Sequence, residues 1–246
     1  MLSSQVLASG RRFCSAIWMR TILFSLLLLV PTVAAQDSPL PQAQTGVEFD
    51  TSYTPSASVG YRVKRSFLDG VYRSAGADAR AAFQERFDEK SHELIWQELV
   101  KPYGMQIGNV ADALAAYWML NWMVANAAFT VDIPPGPVRR QLQHALSIDR
   151  SFRGLNDDQR QAMAERLMLD FLVLHAAMST ALRNQDVSTL QGLAREAVIT
   201  FRRQYGVDLL ALEPGAGGLA PRGSVSSGSK EPAGQAEPEA DEPTAE

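Results

Sequence analysis

The sequence predicts an all-α protein, a single bundle of about six helices around one buried central helix, with unstructured segments at both ends. Three observations lead there. Apolar residues recur three and four positions apart over residues 55–212, no stretch sustains the alternation of a strand, and residues 108–130 are apolar nearly all round. The roughly 160 residues of that region are enough to bury a core without staples.

Residues 1–35 read as a cleavable secretory signal. Arg11, Arg12 and Arg20 precede an apolar run over residues 22–30, Pro31 breaks it, and Val33-Ala34-Ala35 offers small residues ahead of Gln36. Met19-Arg20 would itself open a compact signal of this kind. The run is shorter than the about 20 residues a membrane span needs, so no stable membrane insertion is expected after cleavage. The one cysteine, Cys14, lies before the apolar run, which leaves the exported part without a lipidation site or a disulfide. The expected location is the periplasm or the exterior.

Residues 36–54 form a polar, proline-bearing leader that is expected to be extended. Residues 55–212 are expected to be the helical domain. Pro55 and Ser56 open its first helix, with Val59, Val63, Phe67 and Val71 on one face, Gly70 and Gly76 as weak points, and Phe83 and Phe87 one turn apart further on. Leu94, Ile95, Trp96 and Leu99 supply the next apolar face, ended by the sequence Lys101-Pro102-Tyr103-Gly104.

The central helix is read over residues 108–130. Asn109 is its N-cap, and Asp112 is placed to reach back to the first turn in a box-like pair. Asn121 at mid-length, no basic flank and amphipathic neighbours favour a helix buried among helices over one in lipid. Pro134, Pro135 and Pro137 start the following helix, with Val138, Leu142, Ala145 and Leu146 inward. Asn156 with Asp157 and Asp158 starts a long one, whose stripe is Met163, Leu167, Phe171, Leu174, Met178 and Leu182. Asp186 caps the last, Leu190, Leu193, Ala197, Phe201 and Tyr205 face inward, and Gly206 ends it. Residues 213–246, rich in Gly, Pro, Ser, Ala and Glu, read as a disordered acidic tail.

The motif Asn109, Ala111, Asp112, Tyr117, Trp118 and Trp122, an Asn-x-Ala-Asp helix start followed by an aromatic pair and a tryptophan, resembles that of an uncharacterised domain family of exported bacterial proteins. The resemblance spans residues 53–212. It implies an exported helical domain and carries no activity with it.

Chemistry is sparse. The net charge of −4 becomes −7 without the three signal arginines, of which the tail holds −5. The nearly neutral body therefore excludes nucleic acid as a partner. His92-Glu93 begins like a zinc-protease helix, but the required second histidine position is Trp96, and with three histidines in all no metal site and no cofactor is expected. No phosphate loop or serine elbow occurs, since the glycines of residues 215–218 lack the lysine such a loop requires.

The candidate binding residues are Asp112, Tyr117, Trp118, Asn121, Trp122 and His175, as the lining of a pocket along the central helix. Buried Asn121 must find a partner on a neighbouring helix or loop carbonyl or else serve a ligand. The functional expectation is a non-enzymatic binding or interaction module of the cell envelope, with a protein partner or a small apolar ligand. The alternative is a small-ligand carrier or enzyme using that central pocket.

Overall fold

Residues 49–223 are described by a computed structural model. The expected signal, most of the expected leader and the residues beyond 223 lie outside the described residues. The first helix, α1 (Ala57–Glu89), is two helices joined at Gly76, whose φ of 86° and ψ of −176° belong to a region that glycine occupies almost alone. The chain folds back on itself there. Phe83 and Phe87 return to Phe67 with ring centroids 5.3 and 5.9 Å away. Leu68, Val71 and Ala79 complete a small core with Leu169 of a later helix.

The short helix α2 (His92–Val100) starts at Ser91, whose hydroxyl accepts the Leu94 N–H, and passes into a 3-10 turn ended by left-handed Gly104. The central helix α3 (Val110–Ala125) follows. It packs on α4 (Pro135–Ile148), α6 (Asp157–Arg183) and α7 (Val187–Tyr205), with the one-turn α5 (Arg150–Arg153) between α4 and α6. The all-α class is as expected, and α3 is buried on every side because helices surround it.

Asn109 is the N-cap of α3, its Oδ1 accepting from Ala111 and Asp112, and Asn156 forms a full capping box with Gln159. Asp112 does not complete the box expected of it. Its Oδ2 accepts the Gln106 N–H at 3.0 Å, fastening the preceding loop rather than the helix's first turn.

Three further expectations are corrected. The central helix stops at Ala125 instead of running through residue 130. Asn126 donates to Trp122 O at 3.0 Å and to Leu209 O at 3.2 Å, and Ala127 turns to a φ of 49°. Sixteen residues span about 24 Å, less than the about 30 Å of a hydrocarbon core. Among the described residues no helix is long and apolar enough to cross a membrane.

The start of the expected tail is a hairpin, β1 (Leu212–Gly215) antiparallel to β2 (Gly218–Pro221). It is held because the bundle offers it partners. Trp122 Nε1 donates to Leu212 O at 3.0 Å, and the Gln141 amide both accepts from Leu219 N at 2.9 Å and donates to Leu219 O at 2.8 Å. Residues 49–54, the described end of the expected leader, are docked on the start of α3. Tyr53 N donates to Gly108 O, Val110 N to Thr51 O and Thr51 Oγ1 to Asn109 Oδ1, which buries Thr51 and Tyr53. Leu94 and Leu182, both read as core-facing, are exposed.

Candidate functional site

The docked leader, the first turns of α1 and α2, and the first half of α6 enclose a cleft of about 390 Å³. Its acidic wall follows from local sequence. Ser91 fixes where α2 begins, which puts His92 and Glu93 in the first turn, with His92 packed on the Phe87 ring at 5.7 Å. Glu165 comes from α6. Gly60 lets α1 approach both carboxylates, for a Cβ there would stand 3.2 Å from Glu93 Oε1 and 3.4 Å from Glu165 Oε1.

One turn before Glu165, Gln161 serves as its brace. The Gln161 amide accepts from Ser56 N at 2.8 Å and donates to Ser56 O at 2.9 Å and to Glu165 Oε1 at 2.6 Å. These bonds tie α6 to the start of α1 and satisfy one oxygen of Glu165. The other, Oε2, faces His92 Nε2 at 3.4 Å, and neither atom has a hydrogen-bond partner. His92 Nδ1 lies 3.4 Å from Glu93 Oε2.

His92 and Glu165 are each 2% exposed, whereas the Glu93 side chain is 21% exposed toward the cleft. An atom left so deeply buried and unsatisfied costs on the order of 1–3 kcal/mol, more when charged. The Tyr53 hydroxyl is buried in the same wall, and burial, against the opposing pull of the Gly108 backbone and with the charges of Glu165 and Glu93, pushes its phenol well above the ordinary value. Lys64 stands in the cleft wall and is held 3.2 Å from Asp88 on the returning arm of α1.

The residues singled out from sequence are not brought together here. Tyr117 stacks on Phe201 at 5.7 Å, Trp118 meets Phe201 edge-on at 5.0 Å and Tyr205 at 5.3 Å, and all four are buried in the main core. Trp122 is occupied by Leu212 O. Asn121 donates to Tyr117 O of its own helix at 2.8 Å, rather than to a neighbouring helix or loop.

Asp112 and Asn121 are about 13 Å apart along α3, which separates them into different surroundings. Burial raises the Asp112 carboxyl against the opposing pull of the Gln106 N–H and of Arg139 at 3.6 Å. His175 is stacked on Phe171 at 5.8 Å, and burial lowers its imidazole. None of the six lines the cleft.

His92 and Glu93 were weighed in the sequence as an incomplete zinc motif, while Glu165 was not singled out. No local spacing could connect them, because the third group arrives from 72 positions away on a different helix. Neither the comparison with curated proteins nor that with solved structures gave a match. The family model described as Family of unknown function (DUF6683) matches residues 31–220, helices, docked leader and hairpin together, and the chain belongs to that family.

Proposed function

We propose that the protein is an exported binding module of the cell envelope, and that it holds a small polar or cationic ligand in the cleft between α1, α2 and α6. The observation that carries this reading is the pair of buried, facing atoms without hydrogen bonds, His92 Nε2 and Glu165 Oε2, beside a cleft that solvent reaches. Native proteins satisfy nearly all such groups, so an unsatisfied facing pair at a cleft wall is a place where a ligand supplies what the fold withholds. The export part rests on the basic start, apolar run and small residues ahead of Gln36. A pocket along α3 has less support, since its aromatic side chains are spent on packing.

The reading is tested by thermal denaturation against a panel of cations, amines and small polar metabolites, on the wild type and on Gly60→Leu, whose side chain projects onto the two carboxylates. A ligand that raises the wild-type Tm is expected to leave the variant unmoved, with both proteins equally helical by circular dichroism. A ligand-induced rise that persists in Gly60→Leu contradicts the cleft as the binding site.

A further inference from the structure

We infer that His92, Glu93 and Glu165 form a binding site for a divalent first-row transition-metal ion, a reading that rests on the cleft being the place of binding and names its ligand. Each residue offers one donor atom, and the three atoms lie within 4.8 Å of one another. Two ligands each 2.0–2.1 Å from a tetrahedral zinc stand about 3.4 Å apart, and His92 Nε2 and Glu165 Oε2 are separated by 3.4 Å. That is the separation two ligands of one metal keep, and Glu93, whose Oε2 lies 3.4 Å from the other ring nitrogen, Nδ1, would reach the same ion by a side-chain rotation.

Acidic clusters are common on protein surfaces, but this group differs from them in a way that points to a cation. Two of its three members are 2% exposed, and the facing atoms of those two make no hydrogen bond. The partners that Glu165 does have are arranged as support. Gln161 holds Oε1 and is itself pinned to the Ser56 backbone, the kind of outer contact that orients a metal-ligating carboxylate. Gly60 keeps a side chain out of the space beside both carboxylates.

The donor set selects the class of ion. One imidazole nitrogen with two carboxylate oxygens suits zinc, manganese, iron or cobalt, whereas calcium and magnesium favour oxygen alone. Three protein ligands leave at least one position for water or a small ligand, and the part-exposed Glu93 marks the side from which it enters.

Isothermal titration calorimetry of the chelator-treated protein with Zn²⁺, and visible absorption with Co²⁺, decide the matter. The wild type is expected to take one equivalent of either ion with saturation, and Co²⁺ to give the absorption of an ordered low-symmetry site. Glu93→Gln, at the part-exposed position where folding is least at risk, should weaken binding by at least the about tenfold that loss of an outer partner costs, and Glu165→Gln and His92→Gln by about 100-fold or more. In a wild type whose variants misfold, a Tm rise with Zn²⁺ that a chelator reverses and Mg²⁺ does not reproduce serves the same purpose.

No saturable binding of Zn²⁺, Co²⁺ or Mn²⁺ up to millimolar concentration overturns the inference, as does binding that Glu93→Gln and Glu165→Gln leave unchanged. A protein that ignores these metals while a polar organic ligand still raises its Tm, and fails to in Gly60→Leu, removes the metal and leaves the cleft reading standing.

Discussion

At the scale of single residues, Asp112 shows how one side chain can serve the fold at a cost. It is buried at the start of α3, bonded to the Gln106 N–H and only distantly to Arg139, and burial is the largest influence on its carboxyl. A carboxyl raised in the folded state binds its proton more tightly there than in the unfolded chain. The associated stability is greatest below the ordinary value of 3.8, falls as pH climbs from 3.8 to the raised value, and then levels off. Asp112→Asn keeps an oxygen for Gln106 and removes the titration. Its Tm relative to the wild type should therefore rise over that interval and stay level above it. A relative Tm that drops across the interval would mean that Arg139 and the helix start favour the carboxylate after all.

At the scale of elements, α1 is the clearest case of one residue governing architecture. Nothing stands within 4 Å of a Cβ at Gly76, so space does not require glycine there; the backbone does. Gly76→Ala should cost about 1–3 kcal/mol through strain alone. Chemical denaturation reads that loss in the midpoint, and a midpoint unchanged by the substitution would show that the arms of α1 meet some other way.

The same elements show how far the sequence could be read. Asn109, Asn156 and Asp186 were legible as caps and Gly206 as a C-terminal stop, because capping is a local contract between neighbours in the chain. The apolar positions of α4 were legible for a similar reason, since that helix buries one face only. The α6 helix was half legible. Leu167 and Phe171 are buried as the stripe implied, but so are Gln161 and Glu165 on another side, because α1, α2, α3 and α7 all lie against α6.

A helix enclosed from several sides has no single moment to read, and its buried polar residues cannot be told from its solvated ones. The hairpin was hidden by composition. Leu219 sits alone among Gly, Ala and Pro, and what orders it and Leu212 is Gln141 and Trp122 from elsewhere in the chain.

At the scale of the whole molecule, the fold separates two tasks. The aromatic residues of α3 and α7, Tyr117, Trp118, Phe201 and Tyr205, make a dry interior that holds the bundle together. At its flank the leader, α1, α2 and α6 converge on an acidic cleft whose buried His92 Nε2 and Glu165 Oε2 lack hydrogen bonds, as Trp118 Nε1 and Tyr205 Oη do in the interior. The leader belongs to both, since Thr51 fastens it to the start of α3 while Tyr53 walls the cleft. The expectation of a ligand therefore moves from an apolar molecule beside tryptophans to a polar or cationic one beside carboxylates.

Hydrogen exchange measured by mass spectrometry, on the protein as purified from its natural source and again after treatment with chelator and dialysis, tests the cleft most directly. Slower exchange in the untreated protein, concentrated over residues 53–64, 91–96 and 161–166, is the result expected of a bound ligand in that place. Identical exchange before and after, or a difference confined to the helices distant from the cleft, would contradict it.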